Sequence, residues 1–273
     1  MEYKNTIHGI FKSRPNRFIA KVEVNGVLET VHVKNTGRCK ELLVENCDVI
    51  LEKSDNPNRK TKYDLIAVYK QGLGLVNIDS QAPNKVVKEW LEKQDYDLIK
   101  PEYTYGNSRI DFYMEKDNLK YLMEVKGCTL EIDGIGYFPD APTERGVKHL
   151  RELAKAAQAG YICFLAFVIQ MEGVDVVLPN VATHPEFGTA LEEALNAGVR
   201  ILYLGCEVEE NNETVIITVN GRGDTVPLAY EEYKRMKARI ELLEVLAEAD
   251  EDVKYGRVAP IRDTFDDLRS FLK

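Results

Sequence analysis

The sequence predicts a mixed α and β chain in three parts: a small all-β domain over residues 1–82, an α/β domain over 83–220 and a helical extension over 221–273. Three observations predict it. About five short apolar strands crowd into the first domain, separated by turn residues. Strand and helix patterns then alternate, which is the order of an α/β domain. Beyond residue 220 the apolar strands stop, and a long charged helical pattern begins.

In the first domain, Phe18 to Val24 alternates and ends at Asn25-Gly26, a hairpin signal that Leu28 to Val33 answers. Asp48 to Lys53, Leu65 to Lys70 and Leu75 to Ile78 continue the pattern. So many strands in so short a stretch suggest a barrel of the OB type, with a β-sandwich fragment as the alternative. Pro83 opens a helix to about Lys93, carrying Val86, Val87, Trp90 and Leu91 at helical spacing. Ile110 to Met114 and Tyr121 to Val125 read as adjacent strands joined by Lys116-Asp117-Asn118. A loop with Gly134, Gly136 and Pro139 follows. Glu144 to Ala159 is a helix stopped by Gly160. Tyr161 to Gln170 is almost wholly apolar, as in the buried centre of a sheet. His184 to Ala197 is a further helix, and Val199 to Leu204 a further buried strand. Glu213 to Val219 reads as an edge strand broken by Gly221-Arg222-Gly223. Tyr230 to Glu248 is a helix with Met236, Ile240, Leu243 and Leu246 on one face, and Ile261 to Leu272 a short final helix.

Hydrophobic residues make up 44% and charged residues 30%, which suits a globular chain. The net charge of −9 argues against a nucleic-acid coat protein. The charge is uneven, however: the first 62 residues are rich in Lys and Arg, whereas 207–213 and 241–252 are acidic. A local basic face can steer DNA on an acidic protein. The five cysteines show no Cys-x-x-Cys spacing, so neither a disulfide framework nor a zinc site is indicated. The apolar run Tyr161 to Ile169 is too short to span a bilayer, and no apolar signal segment opens the sequence. The expectation is a cytoplasmic protein without membrane contact.

The chemistry centres on Asp111, Glu124 and Lys126. Side chains alternate along a strand, so Glu124 and Lys126 share a face while Val125 turns to the core. Asp111, on the neighbouring strand, can share that face. Two close carboxylates repel unless neutralised. A divalent cation does this, and Mg²⁺ or Mn²⁺ binds through one or two carboxylates plus water and phosphate oxygens. The lysine can then polarise the attacking water or stabilise charge on the phosphate. A solvated salt bridge is the plainer reading of the same residues.

Several blocks carry a resemblance: Arg14-Pro15-Asn16-Arg17-Phe18, Asn35-Thr36-Gly37, Ser108-Arg109-Ile110-Asp111-Phe112, Glu124-Val125-Lys126, Gly136-Tyr137-Phe138-Pro139-Asp140-Ala141 and Thr143-Glu144-Arg145-Gly146 with Lys148-His149-Leu150. Together they resemble the bacterial and archaeal sugar fermentation stimulation protein A family, over roughly residues 7–220. The resemblance implies an OB-like N-terminal β-barrel and a restriction-endonuclease-like α/β domain of the PD-(D/E)xK type. It also implies DNA binding and a regulatory link to sugar (maltose) metabolism. Asp111, Glu124 and Lys126 fall on the nuclease-like core. Residues 221–273 look like an addition, with dimer contact, cover for an exposed face or a regulatory flap as roles. A helix packing on its own domain is the simpler account.

Secondary candidates follow. Glu89, on the helix before the two strands, and Asp140, in the loop after them, are further metal ligands to test; their plainer roles are a solvent-facing acid and a turn or cap residue. Arg145 and Lys148, near a helix N-terminus, suit phosphate, against a simple Glu144–Lys148 pair. His149 is a proton relay or, more plainly, a packed or capping residue. Arg14, Arg17 and Arg38 are expected backbone contacts from the barrel, with Phe11, Phe18 and Tyr63 as stacking partners. The partner is DNA, single-stranded or duplex. The two functional readings are a metal-dependent phosphodiesterase and a DNA-binding regulator without significant cleavage. A sugar-binding sensor has no positive support.

Overall fold

A computed structural model describes residues 1–35, 37–211, 214–219 and 230–256. The expected break at Gly221–Gly223 and the final helix at 261–272 lie outside the described residues.

The chain opens with a two-residue strand, β1 (Glu2–Tyr3). Six strands follow: β2 (Thr6–Asn16), β3 (Ile19–Val24), β4 (Val27–Val33), β5 (Asp48–Lys53), β6 (Tyr63–Lys70) and β7 (Gly74–Asn77). They pair in the order β4-β3-β2-β5-β6-β7, and a parallel β4–β6 pairing closes β2 to β6 into a five-stranded barrel. That is the OB-type solution, with no open edge between β4 and β6. Asn25 and Gly26 both take positive φ, as a two-residue hairpin needs. The strand the periodicity does not reveal is β2. Its register against β3 shifts twice, between Phe11 and Ser13 and between Ser13 and Asn16. Each bulge interrupts the period-two pattern that would betray it.

The second domain contains α1 (Ala82–Leu91), β8 (Leu98–Tyr105), β9 (Ser108–Lys116), β10 (Leu119–Cys128), β11 (Leu130–Ile132), β12 (Ile135–Phe138), α2 (Glu144–Gln158), β13 (Ile162–Ile169), β14 (Val177–Pro179), α3 (Pro185–Asn196), β15 (Arg200–Asn211) and β16 (Thr214–Val219). A seven-stranded sheet runs β1-β16-β15-β13-β10-β9-β8. Its centre, β10-β13-β15, is parallel, and its flanks are antiparallel. Burial explains the apolar run in β13, which is covered on both faces. β16 is not an edge strand, because β1 pairs outside it. The N-terminal residues thus join the second domain's sheet rather than the barrel. β8 escapes the sequence pattern because it is the exposed edge and carries Pro101 and a positive-φ Glu102. The glycine loop around Gly134 is in fact a hairpin, β11–β12, which pairs with β14 in a three-stranded sheet.

Thr143 caps α2 by accepting a hydrogen bond from Gly146 N–H at 3.1 Å. The barrel and the α/β domain form one compact unit, Met1–Tyr230. The helix α4 (Tyr230–Lys254) falls in a second unit. It is less one-sided than its sequence pattern promises: Leu242 and Val245 are as exposed as Leu243 and Leu246. Among the described residues, no helix is long and apolar enough to cross a membrane.

Candidate metal and nucleic-acid site

The β9–β10 hairpin builds the centre. Its backbone register runs from the Asp117-Asn118 turn to the pair Phe112–Met123 and stops there. One residue further, the side chain of Asp111 replaces the ladder: its Oδ2 accepts from Val125 N–H at 2.8 Å. Val125 packs into the core with Val86 and Val87 of α1. Strand alternation therefore turns Glu124 and Lys126 to the opposite face. That face is covered by α2.

Glu124 is 2% exposed. Its Oε1 meets two groups, the Lys126 ammonium at 2.6 Å and Nδ1 of His149. Its Oε2 is buried and has no hydrogen-bond partner among the described residues. A buried carboxylate oxygen left unpaired is costly, and native proteins rarely keep one without a reason. Burial pushes the Glu124 carboxyl up, but Lys126 and His149 outweigh it and hold it below the usual range. Asp111 moves the other way: burial raises it first, and the Glu124 charge raises it further. Asn84 of α1 donates to Asp111 Oδ1 at 2.8 Å. Two neighbouring carboxylates, one with an orphaned oxygen, form a donor set that fits a hard divalent cation.

Glu89 is not brought to this centre. It lies five residues beyond Asn84, about 140° round the helix, and its carboxylate pairs with the Met1 amino group at 2.7 Å. Asn84 takes the place expected of it. Asp140 is occupied elsewhere as well: its Oδ2 accepts from Arg38 N–H at 2.9 Å and fixes the barrel loop to the β12–α2 loop. The approach is so close that a Cβ on Gly37 would sit 2.1 Å from Asp140 Oδ2.

Arg14 is a structural organiser. Its guanidinium donates to the carbonyls of Arg17, Asn35, Gly37 and Arg38 at 2.6–2.9 Å. Little of it is left for a phosphate. Arg17, Arg38 and Lys40 differ: all three are exposed and form no ion pair among the described residues. With Asn16 and Pro142 they border a groove of about 450 Å³. Phe18, next to Arg17, is 55% exposed, whereas Phe11 and Tyr63 are buried in the barrel. Of the three aromatics, only Phe18 can stack. Its alternation suggested a core residue, but it lies in the β2–β3 turn, outside either strand. Asn16 Oδ1 accepts from the N–H groups of Phe18 and Ile19 and fixes that turn. A second cleft of about 190 Å³ lies between the barrel loop and the centre, lined by Asn35, Ser80, Pro83, Gly127 and Asp140.

Lys148 donates to the Asn107 carbonyl at 2.7 Å and pairs with no acid among the described residues. Glu144 faces His184 at 3.4 Å instead. Arg145 is exposed, and its Nε lies 3.4 Å from Nε2 of His149. Sequence reasoning missed Asn84, and for His149, which is buried as the plainer reading had it, missed the contact with Glu124. The available signal was a polar residue on the buried stripe of α2, beside Leu150 and Leu153. Glu144, His184 and Glu186 also place ligand atoms within 4.8 Å of one another. There Nδ1 of His184 accepts from Thr143 N–H, so Nε2 carries the proton and is not free to ligate.

Comparison with known proteins agrees with this architecture. A family model described as the SfsA N-terminal OB domain matches residues 13–78. The sugar fermentation stimulation protein RE domain matches residues 81–212. A sugar fermentation stimulation protein homolog of Desulfitobacterium hafniense (strain DSM 10664 / DCB-2) is 55% identical over 215 residues, covering 78% of this chain and 94% of the relative. The homolog of Ruminiclostridium cellulolyticum is 55% identical over 214 residues, covering 77% and 94%. The solved structure of Pyrococcus furiosus SfsA in complex with Ca²⁺ superposes with a TM-score of 0.70 at 29% identity, over 80% of this chain and 95% of that one. With both domains matched in order, the chain belongs to the sugar fermentation stimulation protein (SfsA) family.

Proposed function

We propose that this chain is a divalent-metal-dependent phosphodiesterase acting on DNA. The observation that carries the reading is the buried Oε2 of Glu124, without a partner among the described residues, on a carboxylate whose charge raises the neighbouring Asp111 carboxyl. A protein that only bound DNA would gain nothing from two acids there, since they repel phosphate without a cation. Asp111 and Glu124 would hold Mg²⁺ or Mn²⁺, and the Pyrococcus furiosus relative with Ca²⁺ supports a hard cation. The ion would supply charge neutralisation and a water of lowered pKa. Lys126 sets a fixed positive charge on the same face, where negative charge grows on the phosphate. Arg17, Arg38 and Lys40 hold the DNA backbone, and Arg145 offers its terminal nitrogens at the N-terminal turn of α2. A cytoplasmic setting fits five unpaired cysteines.

The second reading is a DNA-binding regulator without cleavage, tied to sugar use as the relatives' names suggest. It draws on the basic groove alone and leaves the acid pair unexplained. The test is cleavage of single-stranded, duplex and branched DNA with Mn²⁺ or Mg²⁺, alongside calorimetry of metal binding. The expected result is metal-dependent cutting, lost in Asp111→Asn and Glu124→Gln. Absence of metal affinity, with both variants binding DNA like the parent, would leave the regulator standing.

A further inference from the structure

Resting on that reading, we infer that His149 is a positioning residue: it fixes the Glu124 carboxylate, and Arg145 fixes the tautomer in which His149 does so. The argument starts from what each atom can do. Arg145 Nε–H only donates. At 3.4 Å from His149 Nε2, it makes that nitrogen the acceptor. A neutral ring then carries its proton on Nδ1, and Nδ1 faces Glu124 Oε1. Lys126 reaches the same oxygen at 2.6 Å. Both donors therefore converge on Oε1, and Oε2 is left without a partner among the described residues.

The arrangement settles which oxygen is offered to a cation. Without the His149 bond, the carboxylate can turn about its last torsion, which is soft and nearly two-fold. Lys126 alone does not prevent this, because an ammonium on a flexible stem follows either oxygen. His149 is held firmly: it is 4% exposed and sits on the packed stripe of α2 with Leu150 and Leu153. Arg145, by contrast, is exposed, and among the described residues only its Nε is engaged. One exposed side chain at the N-terminal turn of α2 thus reaches the residue that orients Glu124.

Two isosteric changes separate positioning from packing. In His149→Asn, the amide nitrogen replaces Nδ1, so the bond to Glu124 survives and the contact with Arg145 is lost. In His149→Gln, the amide nitrogen falls near Nε2, so the inner bond is lost. Outer partners of metal ligands typically contribute about 10–100-fold in metal affinity. His149→Gln is expected to lose affinity for Mn²⁺ in that range by calorimetry, and His149→Asn to recover most of it, both measured below their melting temperatures. Equal affinities in the two variants, or an unchanged one in His149→Gln, overturn the inference. A metal-independent readout accompanies it. Long-range ¹H–¹⁵N correlation of ¹⁵N-histidine-labelled protein should show the Nδ1–H tautomer for His149, and the Arg145→Leu variant should lose that preference. An Nε2–H ring in the parent overturns the inference even if Mn²⁺ binds. A parent protein with no Mn²⁺ affinity but an Nδ1–H His149 removes the metal reading and leaves the positioning intact.

Discussion

Oδ2 of Asp111 accepts a hydrogen bond from Val125 N–H at 2.8 Å, one residue past the last backbone pair of the β9–β10 ladder. A side chain thereby closes a gap in the sheet and also stands beside Glu124. The two roles separate by substitution. Asp111→Ala leaves the Val125 N–H unpaired and should cost about 1–3 kcal/mol. Asp111→Asn keeps an acceptor oxygen and should melt near the parent, yet lose Mn²⁺ affinity. Thermal melts with calorimetry check both, and an Asn variant that still binds Mn²⁺ counts against Asp111 as a ligand.

Basic residues of the barrel should behave in opposite ways. Arg14→Ala removes donors from four loop carbonyls and should destabilise the fold by at least about 2 kcal/mol. Arg17→Ala, Arg38→Ala and Lys40→Ala should change stability by less than about 0.5 kcal/mol. Each should weaken DNA binding and flatten the salt dependence of log K by about 0.7–0.9. Salt titrations that keep the parent slope in all three variants would remove the groove from the binding surface.

Asp140 should matter for domain docking and not for metal. Asp140→Ala is expected to leave Mn²⁺ affinity unchanged, since its Oδ2 serves Arg38 N–H. Gly37→Ala should destabilise more than Asp140→Ala, because its Cβ would meet that oxygen at 2.1 Å. A large drop in Mn²⁺ affinity for Asp140→Ala would return Asp140 to the metal site.

The barrel carries an acid-sensitive contact. Burial raises the Asp64 carboxyl, but Arg59, Lys34 and His32 outweigh it and bring it from 3.8 to about 2. A depressed folded value means that the stabilisation is present above the unfolded pKa and lost as pH falls. The loss spans the window from 3.8 to about 2. Asp64→Asn should cost about 3 kcal/mol at neutral pH, as breaking a buried ion pair does. Its melting curve should converge on the parent's as the pH nears the bottom of that window. A gap that persists in acid would show packing, not charge, to be the cause.

Much of this protein was legible in its residues. Asn25-Gly26 marked a hairpin because two positive-φ residues in sequence have few other uses. The all-apolar β13 marked a buried sheet centre, and the Glu124-Val125-Lys126 triplet marked a shared face. Each of these signals is local, a matter of dihedral preference or side-chain alternation. β2, with its two bulges, and the exposed edge β8 were not legible, because neither keeps an unbroken period of two.

What the sequence determined by itself is the order of the two domains, the elements with clean periodicity, and the acids and lysine that could hold a metal. Only the tertiary structure decided which side chains reach them. It placed Asn84 rather than Glu89 on Asp111, put His149 on Glu124, and committed Arg14 and Asp140 to the barrel loop at Asn35 and Arg38. The reason is geometric: spacing along one strand or helix fixes a direction, whereas the partner met there comes from a distant segment, whose position depends on the packing of the whole core.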